Sequence, residues 1–135
     1  MLQFGIGLTT SPNATVRNNV FYNEPGEHLA TDTASLQGLS AGYNCIYRSD
    51  GQPPKGSAWP NDLWGVNPLF ANVAGGDFHL RAGSPCIDRG MALTQVANDM
   101  DGVGRPQGPR YDIGAYEYAA APSLAPTSLY SFSAR

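Results

Sequence analysis

Carboxylates recur in this chain at spacings that bear on chemistry, and they outnumber the cations by eleven to eight. Asp112 and Glu117 stand five apart in YDIGAYEY, residues 111–118. Two carboxyl groups can divide the acid and base roles on a glycosidic bond when both face one substrate. Inside a strand, however, positions five apart point to opposite faces, which argues against a shared site. Arg105 precedes Glu117 by twelve residues and can reach back to one of the two as a bidentate partner. Arg105, Asp112 and Glu117 are therefore read as structural, within a closing strand at 111–118 whose Gly114 permits close backbone approach.

Asp99 and Asp101 precede Gly102 in DMDG. Alternating carboxylates at a glycine turn resemble the start of an oxygen-rich calcium loop, so these two are the metal candidates and calcium the one possible cofactor. The remainder of an EF-hand spacing is missing. The competing reading, a tight turn whose carboxylates accept backbone N–H groups, is preferred. No cofactor is required by the pattern. His79 falls on the outward face of an expected strand as a solvated residue, and His28 in a polar loop near Glu24 and Glu27. Neither stands in a Ser-His-Asp order, and no G-x-S-x-G element is present.

A different chemistry is suggested by Tyr43, Tyr47, Trp59, Trp64 and Phe70, gathered along a loop-rich middle. Flat aromatic faces stack on sugar rings, and carboxylates or amides beside them supply hydrogen bonds. Tyr43, Tyr47, Trp59, Trp64 and Asn61 are the candidate substrate-binding residues. Asp50 and Asp62 are the candidate catalytic carboxylates. The alternative is that the two tryptophans cover the open end of a small core.

The elements that must position these residues are short. Sixteen Gly, eleven Pro and 14% charged residues among 135 favour turns and brief strands over long helices. The net charge of −3 offers no basic patch, which argues against nucleic acid. No apolar run reaches the roughly 20 residues needed to cross a bilayer, and the opening MLQFGIGLTT lacks the basic region of a signal peptide. Asn19-Val20-Phe21-Tyr22 is echoed position for position by Asn44-Cys45-Ile46-Tyr47. An echo at that separation suits stacked structural units, in which equivalent Asn side chains form a hydrogen-bonded ladder. Residues 24–40 are expected to hold a short helix or an irregular excursion, 51–62 a loop, and 91–97 a helix or loop. GGDFHL is expected to be a turn and strand with Phe78 and Leu80 on one face. The domain is placed at 1–118 and a flexible tail at 119–135, with Leu129, Tyr130 and Phe132 able to dock. Cys45 and Cys86 are either two buried thiols or one disulfide.

The succession Asn67-Pro68-Leu69-Phe70, Gly76-Asp77-Phe78-His79-Leu80, Gly83-Ser84-Pro85-Cys86-Ile87-Asp88, then Asp99, Asp101-Gly102, Arg105-Pro106 and Asp112-Ile113-Gly114-Ala115-Tyr116-Glu117 resembles a known pattern. It is similar to the C-terminal end of right-handed parallel β-helix proteins of the pectate-lyase-like superfamily, many of them secreted or on bacterial surfaces. The resemblance covers about residues 64–118. It implies an all-β fold, a truncated right-handed parallel β-helix of about two coils with an irregular C-terminal segment. It also implies a secreted or surface-borne parent protein and a leaning toward carbohydrate. The superfamily's catalytic groups lie on central coils that this chain lacks, so no catalytic residue carries over. Two functions follow as expectations. One is a carbohydrate-active protein that binds a polysaccharide or oligosaccharide and cleaves it by hydrolysis or elimination. The other is a non-catalytic structural end-module. An uncapped first coil is a template for another chain, so a homo-oligomer through that coil is expected and no membrane partner is.

Overall fold

The structure is a computed structural model that describes residues 4–120. The expected tail from 121 onward, with Leu129, Tyr130 and Phe132, lies outside the described residues. Strands carry the fold: β1 (Phe4–Leu8), β2 (Thr15–Arg17), β3 (Val20–Tyr22), β4 (Glu27–Thr31) and β5 (Ser40–Gly42) come first. β6 (Cys45–Tyr47), β7 (Leu63–Trp64), β8 (Phe70–Asn72) and β9 (Asp77–Leu80) follow, with a 3-10 turn at Val73–Gly75 between the last two. The protein is all-β, as composition and resemblance implied. The first seven strands pair in parallel: β1 with β4, β2 with β5, and β6 with β3 on one side and β7 on the other. β8 and β9 form an antiparallel pair.

The echo in the sequence is the pairing register. Val20 lies opposite Cys45, and Thr15 opposite Ser40, the same separation in both ladders. A third segment joins where no such repeat announces it: Cys45 lies opposite Leu63, a shorter return. The three segments turn the same corner. Asn18, Tyr43 and Asn61 have φ of 57°, 57° and 63°, the left-handed region that non-glycine residues seldom enter. Asn tolerates that conformation better than Tyr does, because its short side chain can bond to nearby backbone.

The next residue of each corner builds the ladder. Asn19 Nδ2 donates to Asn44 Oδ1 at 3.1 Å, and Asn44 Nδ2 donates to Asp62 Oδ1 at 3.2 Å. The same acceptors take the backbone amides one segment back, Asn19 N to Asn44 Oδ1 at 3.0 Å and Asn44 N to Asp62 Oδ1 at 2.8 Å. Asn44 is buried, and its second bond, to the Val16 carbonyl at 3.2 Å, ties it to the neighbouring strand.

Alternation along β3, β6 and β7 then sorts side chains onto two faces. Phe21, Ile46 and Trp64 meet Val16 and Leu29 in one cluster. Val20, Cys45 and Leu63 meet Leu80, Cys86 and Ile113 in another. The parallel sheet is thus covered on both sides, the usual situation for parallel pairing.

Several expectations are corrected. Residues 24–40 hold no helix: they supply β4, an irregular turn segment at 32–39 and the first residue of β5. His28 is not in a polar loop: it lies buried in β4, edge-on to Phe21 and Trp64 with ring centroids 5.3 Å away in each case. Phe78 and Leu80 do share β9, but Leu80 is buried and Phe78 is 43% exposed. YDIGAYEY is not a strand. Gly114 at φ 125° turns the chain, and side-chain carboxylates take the local amides: Asp112 N donates to Glu117 Oε1 at 3.0 Å, Tyr118 N to Asp112 Oδ2 at 2.6 Å. The face alternation used to separate Asp112 from Glu117 therefore does not apply.

The segment folds back on the first corner. Ile113 N donates to the Cys86 carbonyl at 3.0 Å and Gly114 N to the Asn18 carbonyl at 2.9 Å. The Asn18 side chain donates to the Met91 carbonyl at 2.8 Å and accepts from Met91 N at 2.9 Å. Replacing Asn44 by Ala orphans the Asn19 backbone amide and takes a donor from the Val16 carbonyl and from the Asp62 carboxylate. Urea unfolding is expected to show a loss of about 2–4 kcal/mol, against less than about 1 kcal/mol for Asn98→Ala, whose side chain has one partner, the Gly102 carbonyl at an exposed turn.

Candidate functional site

The residues expected to bind sugar do not all converge. Tyr47 and Trp64 line a groove of about 400 Å³, together with Arg48, Gln52 and Pro54. Tyr47 faces it because it ends β6 on the side away from Ile46, and its hydroxyl accepts from Asn67 Nδ2 at 3.4 Å. Trp64 is half-buried, with the core at its back. Trp59 packs against the same core. Tyr43 occupies a corner and donates its N–H to the Pro60 carbonyl at 3.2 Å. Asn61 is exposed at the third corner. Trp59, Tyr43 and Asn61 thus serve the stack rather than the groove.

Neither proposed catalytic carboxylate is free. Asp50 is exposed and ion-paired with Arg48, whose Nε donates to Oδ1 at 3.1 Å; Gln52 N donates to the same oxygen at 3.0 Å. The guanidinium first, and the amide second, hold the Asp50 carboxyl down at about 2. A group ionised across the neutral range has no proton to give a leaving group. Asp62 ends the ladder: Oδ1 is taken by Asn44 and Oδ2 by Trp59 N at 2.8 Å. Each carboxylate is therefore committed to a different partner.

A second groove, of about 490 Å³, opens between the first corner, the hairpin β8–β9 and the C-terminal segment. Tyr22, Phe70, Phe78, Met100 and Tyr116 supply its apolar wall. Beside it lies a chain of charges that spacing did not disclose. His79 Nδ1 meets Asp77 Oδ1 at 2.6 Å and Nε2 meets Asp101 Oδ2 at 2.7 Å, while the ring stacks on Tyr116 at 4.0 Å. His79 is exposed as expected, but its nitrogens are both engaged, which corrects its description as merely solvated. The Asp101 carboxylate first, then Asp77, raise the imidazole above its ordinary 6.5.

Asp101 is a partner of His79. Asp99 holds a turn: its oxygens accept from Asp101 N at 2.9 Å, Val103 N at 2.8 Å and Glu117 N at 2.9 Å. Burial works against its charge, but those amides prevail and its carboxyl is lowered. No group of three or more potential metal-binding side chains occurs among the described residues.

An arginine pair forms, with Glu117 rather than Asp112, and through one guanidinium nitrogen rather than the expected two. Arg105 Nη1 meets Glu117 Oε1 at 2.8 Å with both side chains nearly enclosed, 6% and 0% exposed, and Nη2 donates to the Gly114 carbonyl at 2.9 Å. Asp112 takes amides instead, from Asp88 at 2.7 Å and Tyr118 at 2.6 Å, and burial pushes its carboxyl up. Cys45 and Cys86 are free, fully buried thiols in one cluster. Contact with Cys86, reinforced by burial, pushes the Cys45 thiol up, so it stays protonated and unreactive.

No protein-family model, curated protein or solved structure matches the chain.

Tyr22 and Phe78 were missed as groove residues, although the shared tyrosine of NVFY and NCIY marks where Tyr22 and Tyr47 pair across strands. Two outcomes follow from these contacts. Arg105→Ala leaves Glu117 buried without its cation, and denaturation is expected to show a loss of about 3–5 kcal/mol, whereas Asp50→Asn at an exposed pair should leave the midpoint almost unchanged. Since folding raises the His79 value, its stabilisation is complete below the unfolded value of 6.5 and disappears as pH climbs through the higher folded one. Melting wild type and His79→Asn side by side from about pH 5 to 9 should show their difference shrinking upward in pH. A constant difference contradicts this assignment.

Proposed function

We propose that this chain binds polysaccharide and does not cleave it, using the groove walled by Tyr47 and Trp64. The observation that carries this is one groove lined by two aromatic residues, Tyr47 and Trp64, reaching it from opposite faces of the sheet, with Arg48 and Gln52 beside them. Ring faces cover the apolar face of a pyranose by removing it from water, while fixed donors orient its hydroxyls. The non-catalytic half rests on the engagement of Asp50 by Arg48 and of Asp62 by the ladder. Retaining and inverting hydrolysis both need two carboxyl groups flanking one bond, about 5 to 9.5 Å apart.

A second reading, a structural end-module, is favoured by one observation of its own. The carboxylates Asp99, Asp112 and Glu117 bond to backbone amides that hold the terminal segment in place. On this reading the parallel stack is a short right-handed parallel β-helix, the C-terminal part of a secreted or surface protein. The constant register shared by the β2–β5 and β3–β6 ladders supports such winding. Both readings agree on architecture and differ on ligand.

Affinity gels and calorimetry with plant and algal polysaccharides, alongside assays for reducing ends and unsaturated products, separate them. Binding without turnover is expected, weakened about tenfold or more by Tyr47→Ala and hardly by Trp59→Ala. No retardation on any polysaccharide leaves the end-module alone, and turnover overturns the non-catalytic assignment.

A further inference from the structure

The two grooves are neighbours. Tyr47 belongs to the wall of one and Tyr22 to the wall of the other, and these rings sit at paired register positions with centroids 5.6 Å apart. The run continues from Tyr22 to Phe70 at 5.7 Å and from Phe70 to Phe78 at 5.4 Å. Four rings therefore follow one another without a break from the first groove to the far side of the second. Tyr22 and Tyr47 are carried on strands whose spacing the buried Asn ladder fixes, so half the run is held rigid before any ligand arrives. Its far end leaves Phe78 43% and Met100 73% exposed, apolar surface that a bound chain would cover.

The charges beside the run select against an acidic ligand. Among the described residues Arg48 is the one cation lining either groove, and Asp50 already neutralises it. At the other end Asp77 and Asp101, about half-exposed, outnumber the single imidazole of His79 between them. A polyuronate would meet carboxylates without an unpaired cation among those lining residues, while an uncharged chain meets no such repulsion.

Resting on the proposed glycan binding at Tyr47 and Trp64, we infer that the two grooves form one extended site for an uncharged polysaccharide chain, with Phe78 as its distal contact. A short oligosaccharide fills one groove, and a longer one gains the second without a second entropic cost of association.

The test is calorimetric titration of the full chain with cello-, xylo- and manno-oligosaccharides of two to about eight units, and with polygalacturonate. The longest neutral oligomer that binds is expected to do so at least about tenfold more tightly than the shortest. Phe78→Ala, an exposed position, should remove that gain and leave short-chain affinity unchanged, while Tyr47→Ala weakens both. A melt of Phe78→Ala matching wild type establishes that the loss is local. Short oligomers binding with no gain in length, or a gain that survives Phe78→Ala, overturn the extended site but leave the first groove standing. Polygalacturonate binding as tightly as the neutral series overturns the charge selection. If no saccharide binds at all, the extended site falls together with the function on which it rests.

Discussion

Asn44 sits at the middle of three corners and bonds to both of the others. Its side-chain oxygen takes the amide and side chain of Asn19, and its own amide and side chain go to Asp62. A buried primary amide can be satisfied only by partners at a fixed separation, so the ladder sets one register for the strands that follow it. A slip of one residue would move Phe21, Ile46 and Trp64 out of their cluster and carry Val20, Cys45 and Leu63 in. The apolar faces of β3, β6 and β7 thus depend on three polar side chains outside them. The ladder ends at Asp62 because a carboxylate only accepts: it closes the chain of donors and takes the Trp59 amide with its second oxygen.

What the ladder does for one face, the C-terminal segment does for the other. Val20, Cys45 and Leu63 would face water without Cys86 and Ile113 laid over them. That segment contains no strand, so its backbone groups need side-chain partners, and Asp99, Asp112 and Glu117 provide them. Arg105 completes the set by neutralising Glu117 in a nearly enclosed site. Breaking this pair harms more than never having had it, because one charge is left buried. The closure also brings Tyr116 and Met100 beside Tyr22, so the second groove exists only when the segment is in place.

The parts of this that repeat were legible in the sequence. The Asn-x-x-Tyr echo carried the register of β3 on β6 and the Asn ladder itself, since equal spacing in sequence becomes equal height in a parallel stack. Asp62 escaped notice as a third rung because its segment returns sooner than the echo predicts and replaces amide with carboxylate. Arg105 was legible as the partner of Asp112 or Glu117, but the choice of Glu117 was not, because it depends on the turn at Gly114. The reason offered for separating Asp112 from Glu117 was unsound, as it assumed a strand where Gly114 turns the chain. His28 was hidden by its polar neighbours: a segment read by composition as loop is placed in a strand, and alternation carries its imidazole between Phe21 and Trp64.

The division of labour between carboxylates and rings follows from the same shortage of partners. A short chain poor in regular hydrogen-bonded structure needs side-chain acceptors for its turns, and Asp and Glu fill that need well because each offers two oxygens. A carboxylate so engaged is withdrawn from acid–base chemistry, since amide donors or a cation already occupy the oxygens a substrate proton would need. Aromatic residues are under no such demand. Once a ring has one face against the stack, its edge and other face remain available to solvent, and strands paired in register line such rings up. In this fold the groups that would do catalysis are fastened into the backbone, while the groups that would hold a sugar ring stand along a groove. That distribution is the physical ground for proposing a domain that binds its glycan and leaves the glycosidic bond intact.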